Sequence, residues 1–329
     1  MFKIGDNIQV KGKVVLAPMA GVTFYAYRKF MASFGVALFY SEMVSDCGLI
    51  YENKETYKYL KTDKEEHPFG IQLFGNKAET ICKAIDIVKN SEYEPDFIDL
   101  NLACPVPKVT KPGSGSSLLK DSDYLSNMIK EIVNYSPYPI TCKIRLGWDD
   151  KNINFLDVIK VLEEAGVKAI ALHVRTAKQL YSGKARYDLV ENLRDKMKVP
   201  LIISGDIFTL DDAISAINIT KADGVMVARG GIGNPILIKQ IGEYFKTGIK
   251  LPNPTLEEQK THCYNLAKAI VSEMGEDKGL RIFRQMGPRF FNGFPNSKKI
   301  KLKLTLGVLS LDELKNVLDD YTGEIIGEN

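Results

Sequence analysis

The sequence predicts an α/β fold, a (β/α)8 TIM barrel followed by a C-terminal all-α helical domain. Two observations carry the prediction. Short apolar runs of strand composition alternate eight times with amphipathic helical patterns, which is how a parallel sheet reads, and eight repeats close such a sheet into a barrel. The alternation then stops at Leu251-Pro252-Asn253-Pro254-Thr255, where two prolines one residue apart read as a linker. The 329 residues suit a barrel of about 250 residues plus an appendage. The expected division is 1–250 for the barrel and 251–329 for the helical domain.

In chain order, strands are expected at 14–20, 37–43, 69–74, 97–103, 140–146, 169–176, 200–205 and 224–229. Helical patterns lie among them at 78–89, 122–134, 155–165, 187–196 and 210–218. An open doubly wound sheet is the rival arrangement, but its glycine fingerprint fails at the third glycine in Gly113-Ser114-Gly115-Ser116-Ser117-Leu118 and again in Gly231-Ile232-Gly233-Asn234-Pro235-Ile236. Beyond the prolines, Thr255 with Glu258 and Ser310 with Glu313 each set a hydroxyl three residues before a glutamate, the capping box that opens a helix.

Hydrophobic residues make up 45% of the chain and charged residues 26%, enough apolar material for a large core. The net charge of +3 neither demands nor excludes an anionic partner, so the placement of the basic residues decides. No apolar run approaches the ~20 residues of a membrane span. Met1-Phe2-Lys3-Ile4-Gly5-Asp6 lacks the apolar core of a signal peptide, so a cytoplasmic location is expected. Cys47, Cys82, Cys104, Cys142 and Cys263 are odd in number, form no C-x-x-C pair and do not cluster with His67, His173 or His262. That pattern argues against a disulfide framework and against a metal site.

In a parallel barrel the inward residues alternate along each strand, and the active site lies at the C-terminal strand ends. Lys143 and Arg145 oppose Ile140, Cys142 and Ile144; His173 and Arg175 oppose Leu172 and Val174. Gln72 opposes Ile71 and Leu73, and Asp99 and Asn101 oppose Leu100 and Leu102. Any one of these can be a satisfied core group. Several strands doing the same predict a polar-lined pocket, because unpaired polar groups are costly to bury. Ser204-Gly205-Asp206-Ile207 and Ala228-Arg229-Gly230-Gly231 fall in the loops after strands seven and eight, where this fold builds phosphate sites. Cys104, in Asn101-Leu102-Ala103-Cys104-Pro105, ends the fourth strand beside a Gly/Ser loop carrying Lys108 and Lys111. A thiol so placed is a candidate reactive group, either acid or nucleophile.

Eight segments resemble, in order and spacing, the tRNA-dihydrouridine synthases, with the bacterial B-type branch nearest in pattern. They are Ala17 to Thr23, Gln72-Leu73-Phe74-Gly75, Asn101 to Pro105, Gly113 to Ser116, Lys143-Ile144-Arg145, His173-Val174-Arg175-Thr176, Gly205-Asp206-Ile207 and Arg229 to Pro235. The resemblance implies an FMN-dependent oxidoreductase that reduces the C5–C6 bond of tRNA uridines, with NADPH as reductant. Pro18, Met19 and Ala20 would line the flavin ring. Gln72 and Lys143 would bond its pyrimidine edge, His173 would lie beside it, and Asn101 would orient the flavin or the uracil. Ser204, Gly205, Asp206, Ala228 and Arg229 would surround the phosphate. Cys104 matches the family's proton donor, and a thiol of pKa about 8.5 stays mostly protonated near neutrality.

The same resemblance implies RNA contacts at the barrel rim from Lys108, Lys111, Arg175 and Lys178, the loop of Lys108 and Lys111 acting as an RNA-facing lid. The helical domain would add Arg281, Arg284, Arg289, Lys298 and Lys299, with Lys301 and Lys303 nearby. Phe283, Phe290, Phe291 and Phe294 are expected to form that domain's core, and the protein to act as a monomer. Three sites depart from the family pattern: Ile203-Ser204 in place of Gly-Asn, Ala228 in place of a glycine, and Pro112 after Lys111. Two other readings stand beside this one, an FMN barrel acting on free pyrimidines and a non-catalytic RNA-binding barrel.

Overall fold

The structure is a computed structural model that describes residues 1–323. Strands β1 (Phe2–Ile4) and β2 (Ile8–Val10) pair as an antiparallel hairpin. The next eight, β3 (Val14–Leu16), β4 (Phe39–Ser45), β5 (Phe69–Phe74), β6 (Phe97–Asn101), β7 (Ile140–Arg145), β8 (Ile170–His173), β9 (Leu201–Ser204) and β10 (Gly224–Val227), form one parallel sheet. β10 returns to pair with β3, and two backbone bonds across β3 and β4 close the ring: Leu16 N–H to Leu38 O (3.0 Å) and Ala37 N–H to Val14 O (2.8 Å). The expected (β/α)8 barrel is therefore observed.

Register places the inward side chains in layers. Gln72 stands opposite Asp99, Asp99 opposite Thr141, Asn101 opposite Lys143 and His173 opposite Ser204, so polar groups gather toward the C-terminal strand ends. Val15, Ala17, Tyr40, Phe97, Ala171, Ile202 and Met226 fill the rest of the interior and pack on Phe2, Ile4 and Val10 of the hairpin. Gly70 makes room for this filling, since a Cβ there would lie 2.2 Å from the Phe97 ring. The hairpin has no counterpart in the expected elements, because two three-residue strands are too short to show a period.

Outside the barrel, helices Ala78–Lys89, Ser122–Tyr135, Phe155–Glu164 and Leu210–Thr220 match the expected patterns to within two residues. The helix expected at 187–196 is replaced by two 3-10 turns, Tyr187–Val190 and Leu193–Lys196, separated by Asn192 at φ 51°. The Tyr187 hydroxyl donates to Gly205 O (2.6 Å), which pins the segment against a strand end. The apolar period there comes from burial of Val190 and Leu193, not from a helix.

After Pro254 every regular element among the described residues is helical: Leu256–Met274, Glu276–Phe283, the 3-10 turn Gly287–Phe291, Ser297–Leu306 and Leu311–Asp319. The capping box at Thr255 is complete, with the Thr255 hydroxyl accepting from Glu258 N–H and the Glu258 carboxylate from Thr255 N–H. At Ser310 it is half made: Ser310 accepts from Glu313 N–H, while the Glu313 carboxylate takes the N–H of Leu309 (2.7 Å). Phe283, Phe290 and Phe291 are buried and Phe294 packs partly buried beside them, as expected. These helices seat on the barrel through Gln259, whose amide donates to Gly233 O (3.0 Å) and Phe290 O (2.9 Å). Gly233 (φ 75°) is required at that seam, because a Cβ would come within 2.5 Å of the Arg289 backbone.

Candidate active site

The strand ends and the loops after β8, β9 and β10 enclose a cleft. Its lining includes Pro18, Met19, Lys143, Arg145, His173, Tyr181, Ser204, Gly205, Asp206, Phe208, Ala228 and Arg229. Three cations, Lys143, Arg145 and Arg229, face one carboxylate there. Burial, and then the neighbouring Arg145, pull Lys143 down to about 8 against the opposing pull of Asp99. His173 is buried; burial first, then Lys143, Arg145, Arg175 and Arg229, hold its pKa well below the usual value, so the ring is neutral. Its Nδ1 lies 3.4 Å from Ser204 Oγ and its Nε2 has no partner. A cleft with surplus positive charge and an unpaired neutral imidazole suits an anionic ligand with polar edges.

The loops after β9 and β10 are built around Asp206, a non-glycine residue at φ 49°. Arg175 grips its carboxylate with two bonds (2.9 and 2.6 Å), Ala185 N–H adds a third (2.9 Å) and Arg229 approaches at 3.4 Å. Burial would raise the Asp206 pKa, but the bonds from Arg175 and Ala185 and the charges of Arg175 and Arg229 outweigh it and hold it low. The two loops touch: a Cβ on Gly230 would lie 2.0 Å from Ile207 O. Arg229 stands over the rings of Tyr181 (4.7 Å) and Phe208 (5.5 Å).

Cys104 sits beside this cleft, its backbone held from three sides. Asn101 Oδ1 accepts from the N–H groups of Ala103 (3.0 Å) and Cys104 (2.8 Å), and Arg145 Nε donates to Ala103 O (2.8 Å). The Cys104 carbonyl accepts from both the N–H (3.1 Å) and hydroxyl (3.0 Å) of Ser116. Gly115 (φ 62°) permits this, since a Cβ there would be 2.6 Å from Cys104 O. Burial pushes the thiol pKa up, partly offset by the Val106 N–H, Arg145 and Lys143. Burial thus disfavours the thiolate form of this side chain. The loop expected as a lid is a wall: it forms the short helix Pro107–Thr110 and the 3-10 turn Gly115–Lys120, bonded to the thiol's own carbonyl. Lys108 and Lys111 are exposed on it.

The other expected site residues divide by burial. Gln72 and Asn101 are buried and bonded to each other, Asn101 Nδ2 donating to Gln72 Oε1 (2.7 Å), and neither lines the cleft; Ala20 is exposed beyond it. Arg175 requires correction. At 1% exposure, and engaged with Asp206, Ser182 O and Gly183 O, it is a bracket inside the protein and not a rim contact. Arg284 is half-buried: it donates to Val308 O (2.8 Å), and its buried Nε has no hydrogen-bond partner. Lys178 is exposed and paired with Asp149 (2.8 Å), and Arg281 pairs with Asp277. Arg289, Lys298 and Lys299 are exposed. A groove of about 820 Å³ holds both Arg229 and Arg289 and leads from the cleft to the helical region.

Three charged or aromatic cleft residues, Arg145, Tyr181 and Phe208, have no counterpart among the expected site residues. Arg145 shares the face of Lys143, and that alternation was the available signal. Tyr181 and Phe208 lie in irregular loops and carry no periodic mark. Among the described residues no group of three or more His, Cys, Asp or Glu side chains could hold a metal, and no helix is long and apolar enough to cross a membrane.

The family model for dihydrouridine synthase (Dus) matches residues 15–325. A probable tRNA-dihydrouridine synthase of Rickettsia bellii is 33% identical over 326 residues, covering 99% of each chain. The tRNA-dihydrouridine synthase B of Pasteurella multocida is 30% identical, covering 94% of this chain and 98% of that protein. Among solved structures, a 2-naphthoyl-CoA reductase in complex with 2-naphthoyl-CoA superposes with a TM-score of 0.53 at 12% identity, over 73% of this chain and 51% of that one. This chain thus spans about half the length of that reductase, and the likeness is one of fold.

Proposed function

The chain belongs to the dihydrouridine synthase family, and from that premise we propose that it is an oxidoreductase that reduces the C5–C6 double bond of uridines in tRNA to dihydrouridine. In this reading FMN occupies the cleft, NADPH restores its electrons, and the protein works as a cytoplasmic monomer. One observation carries the reading: the buried thiol of Cys104 stands beside a cleft with three cations and one carboxylate, Arg145 of that cleft bonding the Ala103 carbonyl next to it.

The residues present fit a flavin mononucleotide. Arg229, Ser204, Gly205, Asp206 and Ala228 would hold its phosphate end, where the loops after β9 and β10 meet. Lys143 and the unpartnered Nε2 of His173 would take the polar edge of its ring, with Pro18 and Met19 against the ring face. A bound flavin supplies the hydride that C6 of the base needs. Cys104 holds the proton for C5, at Sγ. Once that proton has left, Arg145 and Lys143 stabilise the thiolate, whose pKa they already lower, until water reprotonates it. Lys108 and Lys111 on one side, and the groove with Arg289 on the other, offer phosphate contacts to an RNA whose target base is turned out of its stack.

The test is to incubate the protein with FMN, NADPH and tRNA lacking dihydrouridine, and to measure dihydrouridine by nucleoside mass spectrometry. Cys104→Ala is expected to lower kcat by about 10²- to 10⁴-fold, the usual share of a general acid, with flavin content and tRNA affinity retained. Wild-type turnover by that variant would end the acid role. Absence of product with the unaltered chain would end the reading as a whole. Comparable reduction of free uracil would favour the free-pyrimidine alternative.

A further inference from the structure

The Cys104 turn is the last link of a hydrogen-bond chain that begins deep in the barrel. The N–H groups of Ala103 and Cys104 donate to Asn101 Oδ1 (3.0 and 2.8 Å). Asn101 Nδ2 donates to Gln72 Oε1 (2.7 Å), and Gln72 Nε2 donates to Asp99 Oδ2 (2.6 Å). The second Asp99 oxygen accepts from the Thr141 hydroxyl (2.6 Å). Asp99, Gln72 and Thr141 are essentially inaccessible, and Asn101 is 5% exposed.

The two amides lie between ends of fixed chemistry. Backbone N–H groups only donate; burial raises the Asp99 pKa to about 6, offset by the bonds from Thr141 and Gln72 and the charge of Lys143, so above about neutral pH its carboxylate is ionised and only accepts. Between such ends each amide has one orientation that pairs its atoms. Flipping Gln72 would set its carbonyl oxygen against the Asp99 carboxylate and its NH₂ against the NH₂ of Asn101. Flipping Asn101 would turn an NH₂ toward the donors of the Cys104 turn. A buried acid is costlier than a buried amide. What it adds here is a one-way polarity that runs from Asp99 to the thiol's backbone.

We propose that Asp99 is a positioning residue for Cys104: through Gln72 and Asn101 it fixes the amide orientation in which Asn101 Oδ1 holds the turn that presents the thiol. Asp99 does not line the cleft, so its action passes through its neighbours. The catalytic consequence rests on the reading of Cys104 as proton donor; the structural consequence does not.

Two readouts test it. The first is the rate of Cys104 alkylation by iodoacetamide, read by peptide-resolved mass spectrometry so that the exposed Cys47 is followed separately. The second is the split between kcat and KM with tRNA. Asp99→Leu is expected to speed alkylation several-fold as the turn loosens, and to lower kcat about tenfold with KM for tRNA little changed. Asp99→Asn keeps an acceptor for Gln72 but can also donate, so it loses the fixed polarity and is expected to fall between the wild type and Asp99→Leu in both readouts. Should Asp99→Leu not fold, Gln72→Leu cuts the same chain one link along and is expected to reproduce the faster alkylation. Folded Leu variants with wild-type alkylation would overturn the proposal, as would an Asn variant as impaired as Leu. Alkylation is read without tRNA or reductant, so full turnover by Cys104→Ala would end the acid role and leave the coupling to be decided on its own.

Discussion

The barrel mouth and the helical region both carry clustered basic residues and use them in opposite ways. At the mouth, Arg145 donates to the carbonyls of Ala103, Thr176 and Leu180, and Arg175 grips Asp206 together with the carbonyls of Ser182 and Gly183. Both side chains are buried. In the helical region, Arg289, Lys298 and Lys299 are exposed and make no ion pair among the described residues. A buried guanidinium is a bracket, because its donors must all be met and backbone carbonyls meet them. An exposed ammonium keeps its hydration and acts as a charge toward whatever approaches. Substitutions in the two sets should therefore report different things, stability in the first and RNA affinity in the second.

The largest effect is expected at Arg175. Arg175→Ala removes the partner of a partly buried carboxylate and orphans two carbonyls, a loss of about 3 kcal/mol or more by the usual cost of breaking a buried pair, measurable by urea denaturation. It should also change the acid limb of stability. The folded-state pKa of Asp206 is depressed, so its contribution is present above the unfolded value near ~4 and lost as pH falls through the folded one. Arg175→Ala should flatten that limb. A variant with unchanged stability but weakened tRNA binding would put Arg175 with the exposed set and break the contrast.

Arg229 lies between the two classes. Its side chain is 38% exposed, with Asp206 on one side and two aromatic rings around it. Arg229→Ala should change stability by less than about 1 kcal/mol, as exposed pairs do. Flavin affinity should fall at least about tenfold, from loss of a charged hydrogen bond to phosphate, as read by fluorescence titration with FMN. Unchanged FMN affinity would remove Arg229 from the phosphate site.

The barrel was legible because its signal is local: each strand shows its own alternation, and Lys143, Asp99 and Asn101 fell on the inward face by counting twos. Arg175 obeys the same count, yet its partner Asp206 lies 31 residues away, on another loop, and no spacing announces that pairing. The wall beside Cys104 was hidden in the same way, since a Gly/Ser-rich stretch reads as a mobile lid until Ser116 is seen to bond the Cys104 carbonyl. The segment 187–196 has a helical period because it buries Val190 and Leu193, but a tertiary bond from Tyr187 to Gly205 decides its conformation. Tyr181 and Phe208 gave no signal, because an exposed aromatic in a loop acquires meaning only from the guanidinium it faces.

The smallest effect, and the cleanest separation of location from burial, is expected from exposed lysines in both regions. Lys298→Ala with Lys299→Ala should leave stability within about 0.5 kcal/mol, as surface substitutions do. The tRNA affinity should fall, and the salt dependence of binding should flatten by roughly 0.7–0.9 for each RNA phosphate that the variant no longer neutralises. Lys178 is the control, because it lies near the mouth but is exposed, with only the Asp149 pair (2.8 Å) to hold it. If burial is the governing variable, Lys178→Ala should resemble the lysine pair and not Arg175→Ala, with near-native stability and a reduced salt slope. A stability loss at Lys178 close to that at Arg175 would mean that position at the mouth, and not burial, sorts these residues.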